Sequence, residues 1–161
     1  MKKVVTVTLG SSKQDFEFKT EFLGQTFSVR RLGADMDTGK AWELMRRQQA
    51  SADAIGLGEI SDHYHVGLRT IINKDTQHLT NVVTRVPVTT GATLRRLLQV
   101  RAVRFVQKEL GNYFNNNLVL FLSGMRNYDM AVALSDYTKN LSFADALFRT
   151  GAPTMLTSLE Q

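Results

Sequence analysis

Lys3-Val4-Val5-Thr6-Val7-Thr8-Leu9-Gly10-Ser11-Ser12 sets how the rest of the chain is read. β-Branched residues dominate the stretch, and their stiff side chains favour extended backbone. Gly10-Ser11-Ser12 then stops the run in a tight turn, the pattern of a first strand ending at a corner. The opening Met1-Lys2-Lys3 resembles the start of a secretory leader. The apolar run breaks at Gly10-Ser11-Ser12-Lys13, however, before it reaches the length of a leader's apolar core.

Working outward, Asp15 to Lys19 alternates polar and apolar residues, and Gln25 to Arg31 follows beyond Gly24 and ends at Gly33. This reads as an extended segment, a turn and a second strand. Asp35 or Asp37 then caps a helix running through Gln49, with Ala41, Leu44, Met45 and Gln48 at helical spacing. Ala52 to Gly58 reads as a buried strand entering a glycine turn. His63 to His65 fits a loop or a short edge strand, and Leu68 to Ile72 an extended segment. Asn81 to Val86 is a further strand candidate, ended by Pro87 and followed by Thr89-Thr90-Gly91.

The clearest helix spans Ala92 to Leu110. Leu94, Leu97, Leu98, Ala102, Phe105 and Leu110 recur on one side of it, the arginines fall largely on the other, and Gly111 supplies the stop. Leu118 to Leu122 is too short for a helix and suits a strand covered on both faces. It ends at Ser123-Gly124, and a helix follows from Asp129 to about Tyr137. Leu141 to Phe148 and Thr154 to Leu159 fit either state. Strands alternating with helices imply parallel pairing through right-handed crossovers. The expected fold is therefore a Rossmann-like, three-layer α/β domain with a mostly parallel sheet covered on both sides, spanning residues 1–161 as one domain.

Composition narrows the functional classes. The 161 residues include no cysteine, which removes disulfides, thiolate metal sites and a cysteine nucleophile. No apolar run approaches the ~20 residues that a bilayer span needs, so a soluble, cytoplasmic protein without membrane partners is expected. The net charge of +5 favours anionic ligands. Much of it comes from Arg95, Arg96, Arg101, Arg104 and Lys108, which read as a solvated helix face rather than a nucleic-acid surface. An apolar helix face suits burial in a homodimer as well as in the core.

Candidate site residues lie in the small-residue corners: Gly10, Ser11 and Ser12; Gly56 and Gly58; Thr90 and Gly91; Ser123 and Gly124. In an open parallel sheet these corners gather along the carboxyl edge, where such folds bind ligands. Glycine admits close approach of a ligand to the backbone, while amides and hydroxyls can hold phosphate oxygens. A nucleotide or another small anion is the natural ligand. Gly56-Leu57-Gly58-Glu59-Ile60-Ser61 is a G-x-G-x-x-S variant that lacks the third glycine and follows the third strand rather than the first. It fits a structural turn or a pyrophosphate contact. Asp62-His63-Tyr64-His65 carries two imidazoles at strand spacing, but no partner at ligand spacing follows, and no metal is expected. Glu59 and Asp62 are acid/base candidates or simply solvent-facing carboxylates. No G-x-S-x-G elbow is present.

The chain resembles proteins of the quinate 5-dehydrogenase family in Val4 to Ser12, in Thr20-Glu21-Phe22-Leu23-Gly24 with Arg31-Leu32-Gly33-Ala34-Asp35, and in Asp53-Ala54-Ile55-Gly56-Leu57-Gly58. It continues more weakly through Thr89-Thr90-Gly91 and Leu118 to Ser123. The resemblance implies an oxidoreductase that uses NAD or NADP on the hydroxyl of a cyclic polyol acid. Members of that family are longer, with a second α/β half, so the resemblance implies that this chain is an amino-terminal fragment or a natural short form. It assigns no catalytic residue.

Overall fold

The computed structural model describes residues 1–60 and 63–160, with every side chain except those of His65 and Val66. The elements in chain order are β1 (Lys2–Thr8), β2 (Phe16–Phe22), β3 (Gln25–Gly33), α1 (Thr38–Gln48), β4 (Ala54–Gly58), β5 (His63–Val66) and β6 (Arg69–Ile72). There follow α2 (Lys74–Asn81), β7 (Val88–Thr89), α3 (Ala92–Glu109), β8 (Val119–Phe121), α4 (Tyr128–Ser135), β9 (Leu141–Phe143) and α5 (Asp145–Thr150). Where the sequence suggests a single domain over 1–161, the chain divides into two compact units: Met1–His63 with Ile72–Ala92, and Tyr64–Ile71 with Thr93–Gln161.

The first unit is built on a five-stranded sheet of order β2-β3-β1-β4-β7. β1 runs parallel to both β3 and β4, and β4 runs parallel to β7; β2 is antiparallel to β3. The fold is thus mixed α/β with a mostly parallel sheet, as the β-branched opening stretch suggests. Period-two alternation places Val5 and Val7 of β1 on one face with Ile55 and Leu57 of β4. That face packs on Ala41 and Met45 of α1 and on Leu79 of α2, with Val83 just beyond it. Burying each large side chain there contributes roughly 1.5–3 kcal/mol.

Both helices are capped by their own sequence. The Asp37 carboxylate accepts the Lys40 amide at 3.0 Å, and Asn73 Oδ1 accepts the amides of Asp75 and Thr76. Each cap satisfies amide donors that a first helical turn leaves unpaired.

Two expectations are corrected in this unit. α1 and α2 share one core cluster on one sheet face, so the unit's own helices do not cover the sheet on both sides. The reverse face carries Val4, Thr6, Val29, Phe16 and Phe18, the last two with ring centroids 5.7 Å apart. The strand expected over Asn81 to Val86 is instead the end of α2 and a loop, and pairing begins only at Val88. Val83 turns into the core, while the Gln49 side chain donates to the Val82 carbonyl at 3.1 Å and accepts the Thr84 amide at 3.0 Å. Those bonds occupy backbone groups that a strand would give to a neighbour.

The second unit has its own core of Val103, Phe121, Ala131, Leu134, Leu141 and Phe143. β8 pairs in parallel with β9, and the rings of Phe121 and Phe143 stack at 5.4 Å. Here too the sequence expectation is partly overturned. β8 is covered on one face only: Phe121 is 6% exposed, whereas Leu120 is 56% exposed. α3 buries the side opposite to the expected one, with Val103 4% exposed and Phe105 63% exposed, and Leu94, Leu97 and Leu98 are also open. The polar residues on its buried side explain the inversion. Gln99 donates to Asn127, and Gln107 both donates to Asn115 and accepts the Phe114 amide. Glutamines that pattern analysis assigns to water are here structural ties.

Candidate functional site

The register of the first unit's sheet brings several predicted corners to one edge. Thr8 at the end of β1 pairs with Gly33 on one side and Gly58 on the other, and Gly56 pairs with Thr89. Chain direction therefore carries Gly10-Ser11-Ser12, Ala34-Asp35, Glu59 and Thr90-Gly91 beyond the carboxyl ends of parallel strands, while Gly33 ends β3 and Gly56 and Gly58 lie among the last three residues of β4. The corners are bonded to one another. The Leu9 amide donates to the Gly58 carbonyl, the Asp35 amide to the Gly10 carbonyl at 3.0 Å, and the Met36 amide to the Leu9 carbonyl at 2.7 Å.

Charged side chains fill the space between these corners. Arg31, on β3 and only 12% exposed, donates to the Ser11 carbonyl at 2.9 Å and pairs with Asp15 and Glu59 at 3.4 Å each. Asp15 in turn accepts the Gly33 amide at 2.6 Å. Asp35 accepts the Ser12 amide at 2.7 Å through one oxygen and the Lys40 ammonium at 2.6 Å through the other. The Lys40 ammonium first, and then the Ser12 amide, hold the Asp35 carboxyl well below the ordinary carboxylate range. Asp35, Met36 and Glu59 all adopt positive φ, at 54°, 63° and 61°. Such conformations are disfavoured for residues with a Cβ and gather at functional edges.

This geometry corrects the expectation that amides at the corners stand open to an anion. The Gly10 amide donates to Thr8 Oγ1 at 3.1 Å, Ser12 to Asp35, and Lys13 to Ser11 Oγ at 3.2 Å. At the next corner the Gly91 amide donates to Thr89 Oγ1 at 3.2 Å and Ala92 to Thr90 Oγ1 at 3.4 Å. The protein's own oxygens occupy these donors. The space above Gly10 is likewise taken by the Glu59 carboxylate, which a Cβ on that glycine would meet.

Ser123 and Gly124 belong to the second unit, after β8, in a sheet distinct from the five-stranded one. There the Gly124 amide donates to Asp145 at 2.5 Å, and the Met125 amide and Ser123 Oγ lie 3.4 and 3.3 Å from the same carboxylate. His63 and Tyr64 lie on β5; Ser61, Asp62 and the His65 side chain lie outside the described residues. Of the basic run on α3, Arg96 is held by Asp129 in a two-point pair at 2.9 and 3.2 Å. Arg31 and Asp15 were missed as edge residues. Their signal was positional: Arg31 stands two residues before the strand-ending Gly33, on the same face of β3 and at the same edge.

Two family models match the chain: Domain of unknown function (DUF8753) over residues 3–90, and Domain of unknown function (DUF8754) over residues 93–161. The break between them falls beside the Ala92–Thr93 boundary of the compact units. No curated protein matches the sequence. Among solved structures the chain is similar to the catalytic subunit of M. jannaschii aspartate transcarbamoylase, with a TM-score of 0.40 and 15% identity. The match covers 88% of this chain and 46% of that one, so the chain spans a little under half the length of that subunit. Since the model over residues 3–90 takes in more than half of the sequence, the chain belongs to the DUF8753 family.

Proposed function

We propose that the protein is an NAD(P)-linked oxidoreductase of the quinate/shikimate dehydrogenase-like kind, or the nucleotide-binding half of one, with its ligand edge at the carboxyl ends of β1, β3, β4 and β7. The observation that carries this reading is the register that sets Gly33 and Gly58 on either side of Thr8. Ligands of open parallel sheets bind outside the carboxyl ends of the strands. Because the amides of Gly10, Ser12, Gly91 and Ala92 are already bonded, this reading sets the ligand's hydroxyls at these corners and its phosphates away from those amides. Asp35 and Glu59 supply carboxylate acceptors for the hydroxyls of a ribose or a cyclic polyol acid. The nicotinamide supplies the hydride chemistry, and the chain's role is to orient it and exclude water. Calorimetric titration with NAD and NADP, followed by assay of quinate and shikimate oxidation, tests this. Saturable binding of one nucleotide and cofactor-dependent oxidation are expected; no binding at millimolar nucleotide rejects it.

A second reading is a noncatalytic small-anion-binding or assembly domain; the occupied corner amides leave no open phosphate cradle and so favour its assembly form. It predicts a bound small molecule or an oligomer, such as a homodimer, in native mass spectrometry and no turnover. Cofactor-dependent oxidation of either substrate refutes it.

A further inference from the structure

The second compact unit contains a cavity of about 370 Å³. That lies toward the small end of the roughly 300–1,000 Å³ typical of small-molecule pockets. Its lining is mostly apolar, including Met125, Phe143, Leu156 and Leu159, and Phe143 is fixed by its stacking on Phe121. Among the described residues of the lining, two guanidinium groups, those of Arg69 and Arg149, stand with a single carboxylate, Asp145.

The three charges are not equivalent. Asp145 accepts from the Gly124 amide, the Met125 amide and Ser123 Oγ, which fixes its oxygens at the start of the segment that leads into α4 while its negative charge still offsets one of the two arginines. Arg149 Nε forms a loose ion pair with Asp145 at 3.9 Å, too long for a hydrogen bond, and its guanidinium lies over the Tyr64 ring at 5.9 Å. That packing orients the planar donor fork without consuming its hydrogen bonds. Arg69 is exposed on β6 and lines the same cavity. The lining therefore carries one net positive charge beside an apolar interior, and arginine presents paired donors that match a carboxylate.

We infer that this cavity is a binding site for a small organic monocarboxylate with an apolar body, held by Arg149 and Arg69 at its charged end and by Phe143, Met125 and Leu156 along its length. A monoanion balances the net charge of the lining, whereas a polyol or an inorganic phosphate leaves the apolar wall unmatched. The site lies wholly in the second unit, so a nucleotide result at the first unit's sheet neither supports nor removes it.

Calorimetry on the full chain with phenylacetate, phenylacetamide, acetate and inorganic phosphate provides the test. Phenylacetate is expected to bind at least about tenfold tighter than each of the other three, a difference of roughly 1.4 kcal/mol. Arg69→Gln and Arg149→Gln are each expected to weaken phenylacetate about tenfold. Ala146→Leu, which adds bulk to the lining without touching a charge, is expected to weaken it while leaving the melting temperature close to wild type. Equal binding of phenylacetate and its amide overturns the inference, as does phosphate binding as tight as phenylacetate. Absence of phenylacetate binding at millimolar concentration overturns it as well, and so does unchanged affinity in Arg69→Gln and Ala146→Leu.

Discussion

The Ser12 amide donates to Asp35 at 2.7 Å, tying the corner after β1 to the corner after β3. With Arg31 bridging Ser11, Asp15 and Glu59, the carboxyl edge of the sheet is a bonded lattice of loops. Its donors are largely satisfied, while Asp35 and Glu59 retain exposed oxygens.

The two glycines at this edge differ in what surrounds them. A Cβ on Gly33 would stand 2.5 Å from the backbone of Ser11 and Ser12, which is itself held by Arg31 and Asp35. Gly33→Ala is therefore expected to cost about 1–3 kcal/mol or more, as forced overpacking does. In Gly10→Ala the nearest atoms to the new Cβ belong to the Glu59 side chain, whose exposed carboxylate can swing away, and the change is expected to cost well under half as much. Equal losses in urea unfolding would contradict this account of the edge.

Acid should destabilise the first unit in a defined window. The Glu43 carboxyl is lowered from an ordinary 4.5 to about 2 by Arg46 and then Arg47, and Asp53 is lowered chiefly by the Lys3 amide. A depressed native pKa means that the unfolded chain binds more protons as pH falls below the ordinary value. The stabilisation is complete above about pH 4.5 and is lost as pH falls toward 2. These groups are exposed, so salt weakens the effect. The acid limb of melting temperature against pH should be shallower in Glu43→Gln and in high salt; a limb as steep as wild type in both would refute the assignment.

α3 offers a direct check on which side is buried. Val103→Ala is expected to cost about 1.5–3 kcal/mol through lost apolar burial and a cavity. Leu98→Glu should fall within about 0.5 kcal/mol of wild type, because Leu98 faces outward. The reverse ranking in denaturant unfolding would mean that the face named by simple periodicity is the buried one.

These elements also show what the sequence made legible. β1, the hairpin of β2 and β3, α1 and β4 follow directly from β-branched runs, glycine stops and the Asp37 cap, because each signal is local. α2 escaped notice because its core contacts, Thr76 and Leu79, are few and its cap, Asn73, follows a poorly patterned stretch. α3 was found but turned the wrong way, since Gln99 and Gln107 find polar partners inside the unit that no periodicity reveals. The edge corners were legible as glycine turns. Their electrostatics were not, because Arg31, Asp15 and Glu59 meet only after β1, β3 and β4 are paired.

The loop that leads into β7 depends on one side chain. Gln49 spans Val82 and Thr84 at 3.1 and 3.0 Å, so Gln49→Ala removes the side-chain partner of a half-buried carbonyl and of an exposed amide. A loss of about 1–3 kcal/mol is expected. Faster amide hydrogen exchange at residues 82–89 should accompany it, and exchange unchanged from wild type would separate the loop from this contact.

Hydrogen-exchange footprinting of the full chain with and without NAD and NADP tests the proposed ligand edge most directly. The account predicts slowed exchange at residues 8–12, 33–36, 56–60 and 89–91 in the presence of one of the two nucleotides. Saturating nucleotide that leaves all four segments unchanged, or that protects only residues outside the five-stranded sheet, would contradict it.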